Sequence, residues 1–233
     1  MRIKDLFEDG GESPGKKEVL KTSTKEATKY FSKKLDLDIE DKIPNFVKNY
    51  KLLRAKLNVH GSEPRKDMPV VSYKQVKEFQ KHLTDGFLDI KEPFNKEIEN
   101  LLGRFPNSLS DKQKEMWKKA GSGDGSHLDD VVDAKIMEIA AQDLKPVQEQ
   151  IYLSKVRDNF KKKGIPHSGH LTTTKTLIVD KNNMIIDGHH RWTAIMIADP
   201  SIKMTVLKVD LDMNILIKVS KTFGVSLGNK QNS

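Results

Sequence analysis

The first half of the chain carries apolar residues at intervals of three and four positions. Phe46, Tyr50, Leu53 and Leu57 show this spacing clearly. Residues spaced in this way lie on one side of a helix, where they can pack against a core. The sequence therefore predicts a mostly helical N-terminal region over residues 26–120.

Short runs of consecutive apolar residues appear further along the chain. Two of them, at 177–179 and 184–186, are separated by a polar segment that favours a tight turn, and 204–209 is a third. Runs of this length between turn residues are typical of buried strands. Helical spacing is also found in this half, at 128–142, 154–163 and 212–223. We therefore expect an α+β protein with a small mixed sheet in its C-terminal domain, residues 127–224.

Three segments offer little to bury. Residues 1–25 are rich in Gly, Glu and Lys and predict a disordered or extended arm. Residues 121–126 read Gly-Ser-Gly-Asp-Gly-Ser and predict a flexible linker. The last residues, 225–233, are expected to form a loose tail.

Composition narrows the functional classes. The 233 residues include no cysteine, which excludes disulfides, thiolate metal sites and a cysteine nucleophile. No apolar run approaches the roughly 18 residues of a membrane span, so we expect no membrane partner and a cytoplasmic location. That location would be the host cytoplasm or a virion if the chain is encoded by a phage. The net charge of +8 favours anionic partners, among them nucleotides and DNA.

The main cluster of side chains suited to binding or catalysis follows the predicted strand at 184–186. There Asp187, Gly188, His189, His190 and Arg191 lead into a predicted helix. The N–H groups at a helix N-terminus suit an anion, and glycine lets a ligand approach the backbone. Arginine adds fork-shaped donors, and histidines titrate near neutral pH. The sequence therefore predicts a phosphate-handling site.

Two kinds of role are open for these residues. Asp187 could bind Mg²⁺, accept a proton or orient a histidine, or it could simply form a tight turn. His189 could be a general acid or base, and His190 and Arg191 could cap the helix instead of binding a ligand. We expect catalytic roles for all four.

A zinc site is a weaker alternative for the histidines. His167 and His170 precede the strand pair, which could bring them close to His189 and His190. The spacing differs from that of a helical zinc motif, and no carboxylate is placed with it.

Three motifs occur in a fixed order within residues 144–223. They are Lys145-Pro146-Val147-Gln148 followed by Ser154-Lys155-Val156, then Gly164-Ile165-Pro166 followed by Leu177-Ile178-Val179, and finally Asp187-Gly188-His189-His190-Arg191-Trp192-Thr193-Ala194. In this order they resemble the ParB/sulfiredoxin superfamily. The resemblance covers about the C-terminal third of the chain and implies a ParB/sulfiredoxin-like fold there.

In that superfamily the signature loop holds nucleotide phosphates. The resemblance therefore implies that Lys155, Gly188, His190 and Arg191 bind a nucleotide, with ATP or another nucleotide and Mg²⁺ as cofactors. His189 stands where the sulfiredoxin branch has its nucleophilic cysteine, so sulfinic-acid repair is excluded. The short length after the core argues against a chromosome-partitioning clamp.

The resemblance implies a nucleotide-binding phosphohydrolase or phosphotransferase, or a ParB-like nuclease. The alternative is a non-catalytic binding or structural module of a nucleoprotein or viral assembly, in which the helical N-terminal region contacts other proteins. Under the enzymatic hypothesis, loss of Arg191 is expected to remove activity and leave the fold intact.

Overall fold

The computed structural model describes residues 17–86, 88, 90, 130–227 and 229, and in this part of the chain helices precede a sheet. The first helices are α1 (Thr24–Leu35), α2 (Ile39–Lys42), α3 (Phe46–His60) and α4 (Val76–Thr84). They are followed by β1 (Ala134–Ala140), β2 (Lys145–Pro146), α5 (Leu153–Lys163), α6 (Leu171–Thr174), β3 (Leu177–Val179), β4 (Met184–Asp187), α7 (His189–Ala198), β5 (Lys203–Val209) and α8 (Met213–Ser226). The predicted α+β class is confirmed.

The five strands form one mixed sheet in the order β1-β5-β3-β4-β2. The β1–β5 and β3–β4 pairs are antiparallel, whereas β3–β5 and β2–β4 are parallel. The predicted turn between β3 and β4 is confirmed. In it, Oδ1 of Asp180 accepts hydrogen bonds from the N–H groups of Asn182 and Met184, at 2.8 and 2.7 Å.

The predicted helix over 128–142 is wrong, because this segment contains strand β1. All seven residues of β1 pair with β5, from Ala134 opposite Val209 to Ala140 opposite Lys203. The β-branched residues of the segment fit a strand better than a helix. The helical spacing of Val131, Val132, Ile136 and Ile139 misled the prediction, since Val131 and Ile136 are exposed.

Helices cover both faces of the sheet. In β3, Leu177 and Val179 belong to one hydrophobic cluster and Ile178 to the other, as the alternation of side chains along a strand requires. The first cluster packs α1, α3, α5 and α7 against the sheet, and the second packs α4 and α8. The site helix α7 therefore lies in a fully packed layer.

The helical region and the sheet share one core, although the sequence places them in separate domains. Phe31 of α1 packs edge-to-face on Phe160 of α5, with 5.6 Å between ring centroids. Nδ2 of Asn49 in α3 donates to the carbonyl oxygens of Ile197 and Ala198, at 3.0 and 3.3 Å, at the C-terminal end of α7. Helix α3 thus holds the end of α7 opposite its N-terminus.

Parts of the predicted arm and tail are packed as well. The buried Val19 accepts a hydrogen bond of 3.2 Å from the Tyr50 hydroxyl, and Ser23 forms a capping box with Glu26 at the start of α1. At the other end Asn229 donates to the Val70 carbonyl, at 2.8 Å. Residues 1–16 and the predicted linker 121–126 lie outside the described residues. Among the described helices, none has the length and apolar character needed to span a membrane.

Candidate functional site

The site begins where β4 turns into α7. Gly188 is the N-cap residue of α7 and has a φ of 104°, a conformation that residues with a side chain rarely adopt. A Cβ atom there would lie 2.8 Å from Cγ of Leu177 and 2.9 Å from Nη2 of Arg191. The glycine leaves the first N–H groups of the helix without a capping side chain.

A cavity of about 310 Å³ opens at this helix N-terminus. Four separate parts of the chain form its wall: the segment before α4, the connection after β2, the connection between α6 and β3, and the turn from β4 into α7. The lining residues are Arg65, Met68, Pro69, Val70, Val71, Tyr73, Gln148, Lys175, Ile186, Asp187, Gly188, His189, His190 and Arg191.

His189 is held by the backbone of the β2–α5 connection. Its Nε2 atom accepts hydrogen bonds from the N–H groups of Val147 and Gln148, both at 3.1 Å, so the ring is neutral and carries its proton on Nδ1. Burial, aided by the charge of Arg65, lowers the pKa of His189 to about 3. The geometry therefore favours a structural role for His189, in which it connects α7 to the β2–α5 connection, over the predicted role as a general acid or base.

His190 has a similar arrangement one position further on. Its Nε2 accepts a hydrogen bond of 3.3 Å from the N–H group of Tyr152, and the two rings stack with centroids 6.4 Å apart. Burial, followed by the charges of Arg65 and Lys155, lowers the pKa of His190 well below its usual value. A neutral ring with an occupied Nε2 is poorly suited to proton transfer, although it lines the cavity.

Arg191 joins three elements around the turn. Its Nη1 donates a 2.7 Å hydrogen bond to the carbonyl oxygen of Lys175, and its Nη2 lies 3.7 Å from Oδ2 of Asp187. The Arg191 and Asp187 side chains are only 16% and 23% exposed. Arg191 therefore fixes the entry to β3 in addition to facing the cavity.

Asp187 is the predicted catalytic residue best placed to accept a proton. Its carboxylate lines the cavity, and burial raises its pKa, while the nearby Arg191 acts in the opposite direction. A raised pKa moves a carboxylate toward the range in which it works as a general base.

The predicted nucleotide-binding Lys155 lies on α5, outside the group of residues that line the cavity. The residue is exposed, although the neighbouring protein still shields its ammonium group enough from water to lower its pKa, and the positive charge of Arg65 lowers the pKa further. Its charge is close enough to lower the pKa of His190. Lys155 thus adds positive potential beside the cavity.

The sequence did not identify the remaining lining residues as part of a site, and those with polar or charged side chains are Arg65, Tyr73, Gln148 and Lys175. Arg65 is 7% exposed, and its guanidinium lies 5.7 Å from the ring centroid of Tyr152. Nζ of Lys175 lies 4.1 Å from the ring centroid of Tyr73. The one signal in the sequence is the neighbouring run Met68-Pro69-Val70-Val71, whose apolar residues lack helical spacing and are compatible with a buried loop.

The other two histidines of the zinc alternative, His167 and His170, lie outside the group of residues that line this cavity. The His167 and His170 rings are 5.2 Å apart, and His167 lines a second cavity of about 520 Å³ that shares no lining residue with the first. Within the described ranges, no group of three or more His, Asp or Glu side chains is arranged to hold a metal ion. The zinc alternative therefore gains no support.

The chain matches no protein-family model, and neither a curated protein nor a solved structure matches it. Its function must therefore be inferred from the chemistry of the residues around the cavity.

Proposed function

We propose that this protein binds a nucleotide, ATP or another, through phosphate groups held in the cavity at the N-terminus of α7. The observation that carries the proposal is the convergence of three cationic side chains on one uncapped helix N-terminus. Arg65, Lys175 and Arg191 all line the same cavity as Gly188. Such a site supplies both backbone donors and positive charge to an anion. This is the chemistry expected of a ParB-like nucleotide-binding domain.

The reaction proposed for this site is phosphoryl transfer or hydrolysis with Asp187 as the base. Phosphoryl transfer depends mainly on positioning and on neutralising charge, which the cations of the cavity would provide. Asp187 would accept the proton of the attacking water or hydroxyl group. The alternative role of the same carboxylate is to bind Mg²⁺, since such ions bind through one or two carboxylates together with phosphates. Cleavage of DNA is the alternative reaction, because it would use the same phosphate contacts.

A non-catalytic binding module is the second candidate. It is favoured by the hydrogen bonds of His189 and His190, whose Nε2 atoms both accept from backbone N–H groups. Of the predicted catalytic residues, Asp187 is then the one with a group free to accept a proton, and a binding module needs no such group. In that case a nucleotide would bind and remain unchanged.

The experiment that tests the proposal measures thermal stability with ATP, ADP, CTP and GTP in the presence of Mg²⁺. A ligand at about 100 times its Kd should add roughly 2.7 kcal/mol to the free energy of unfolding. The stabilisation should be weakened in Lys175→Ala and retained in Lys66→Ala, an exposed lysine outside the cavity. If none of the four nucleotides stabilises the protein, the proposal is wrong.

Turnover of the bound nucleotide then separates the two candidates. Asp187→Asn keeps the size of the side chain and removes its basic oxygen. Release of phosphate by the wild type and its loss in Asp187→Asn would support the enzyme, provided that the variant still binds the nucleotide when binding is measured without Mg²⁺, because that binding needs no metal ligand. Binding without phosphate release by the wild type would support the binding module.

A further inference from the structure

The mouth of the cavity carries an exposed aromatic ring. Tyr73, in the segment between the turn at Arg65–Asp67 and α4, is 44% exposed and lines the same cavity as Gly188 and Arg191. Among the lining residues that the structure describes, it is the one phenylalanine, tyrosine or tryptophan. Single exposed apolar side chains are ordinary on a protein surface, but an aromatic ring beside a polar cavity offers a flat apolar face to a bound ligand.

The Tyr73 ring is held in place by contact with Lys175, which lines the same cavity. The ammonium group of Lys175 lies 4.1 Å from the ring centroid, which is a cation–π distance. The Lys175 backbone is itself fixed by the 2.7 Å hydrogen bond from Arg191. The ring therefore has a defined position relative to the helix N-terminus, while part of its surface stays open to a ligand.

The size of the cavity leaves room for only part of a nucleotide. At about 310 Å³ it is near the lower end of the range for pockets that enclose a whole small molecule. Arg65 and Arg191, whose exposed fractions are 7% and 16%, line the cavity together with the helix N-terminus and suit the phosphates. The base of a bound nucleotide must then lie at the mouth, where the open surface of Tyr73 is found.

We propose that Tyr73, held by Lys175, forms a nucleobase-stacking site at the mouth of the cavity. This inference rests on the proposed function, because it requires phosphates in the cavity. It adds that the ligand is a nucleotide rather than an inorganic phosphate chain, and that its affinity comes partly from the base. Every nucleobase can stack on an aromatic side chain. We therefore expect the affinity to differ more between a nucleotide and a phosphate chain without a base than between nucleotides with different bases.

The test compares ATP with inorganic tripolyphosphate, which has the phosphates and lacks the nucleoside. Their Kd values are measured by calorimetry on the full chain, with Mg²⁺ present for both. We expect ATP to bind the wild type about tenfold more tightly, in line with the usual strength of base stacking. Tyr73→Leu should weaken ATP binding by about the same factor and leave tripolyphosphate binding unchanged, whereas Tyr73→Phe, which keeps the ring, should bind ATP like the wild type.

The outcomes separate this inference from the proposed function. Equal binding of ATP and tripolyphosphate by the wild type would overturn the stacking site and leave the phosphate cavity in place. Equal weakening of both ligands in Tyr73→Leu would show that the ring acts only by positioning Lys175, and would also overturn it. Binding of neither ligand to the wild type would overturn both proposals.

Discussion

Arg191 donates a hydrogen bond of 2.7 Å from its Nη1 atom to the backbone carbonyl oxygen of Lys175. This contact ties the N-terminal turn of α7 to the residues that enter β3, in the middle of the sheet. An arginine that looks like a ligand-binding residue in the sequence therefore also supports the backbone of the site. A variant at this position is therefore expected to lower stability as well as to alter the cavity, in contrast to the expectation that loss of Arg191 affects activity alone.

We expect Arg191→Ala to lower the free energy of unfolding by about 1–3 kcal/mol, because it removes the hydrogen bond to the Lys175 carbonyl and the ion pair with Asp187. Urea denaturation measures this change. The matched control is Lys135→Ala, which breaks an exposed ion pair with Asp133 and should cost less than about 1 kcal/mol. Equal stability of the two variants would mean that Arg191 has no structural role.

The second prediction concerns His189. His189→Leu should destabilise the protein by about 1–3 kcal/mol for each of the two buried N–H groups that it leaves without an acceptor, those of Val147 and Gln148. His167→Leu, at an exposed histidine, should change stability by less than about 0.5 kcal/mol. Chemical denaturation of both variants tests the difference. A small effect at His189 would return it to the list of candidate catalytic residues.

The pKa of His189 also predicts how stability depends on pH. An unfolded histidine titrates near 6.5, and in the folded protein the pKa of His189 is about 3. Between these values the unfolded state binds more protons, so stability is complete above about pH 6.5 and falls as the pH decreases toward 3, by about 1.4 kcal/mol per unit for each such histidine. His190, whose pKa is also lowered, should add to the slope. Urea denaturation across this range should show the fall, and His189→Gln should reduce it.

The parts of the site that the sequence predicted correctly depend on local chemistry. The turn at Asp180 and the entry into α7 at Gly188 are set by neighbouring residues, and the sequence shows them directly. The role of His189 depends on contacts 41 and 42 residues away, which no local pattern reveals.

Strand β1 and the Tyr73 side of the cavity were missed for the same reason. β1 is defined by pairing with β5, whose first residue, Lys203, is far along the chain. Tyr73 reaches the site because the segment before α4 packs across the N-terminus of α7. Both features require the tertiary fold, so spacing and composition contain too little information to predict them.

A comparison of two glycines with positive φ separates the cost of backbone strain from the cost of steric contact with an added side chain. Gly188 and Gly169 have φ values of 104° and 77°, but a Cβ atom would meet Leu177 and Arg191 at Gly188 and nothing within 4 Å at Gly169. Gly169→Ala should cost about 1 kcal/mol through strain alone. Gly188→Ala should cost more and should also abolish ATP binding, because the added methyl group displaces Arg191 beside the cavity. Thermal unfolding with and without ATP measures both effects, and equal behaviour of the two variants would contradict this explanation.

The shared core predicts that residues 127–233 do not fold on their own. Trp192, at the centre of α7, belongs to one hydrophobic cluster with Phe31, Phe46 and Leu53 from the N-terminal helices. Removing those helices exposes this apolar surface and leaves the C-terminal end of α7 without the donor of Asn49. We therefore expect the fragment 127–233 to lack a cooperative unfolding transition by circular dichroism under conditions in which the full chain shows one. Asn49→Leu in the full chain, which removes only the donor, should unfold cooperatively at lower stability. A fragment that unfolds cooperatively would instead establish the independent C-terminal domain that the sequence alone predicted.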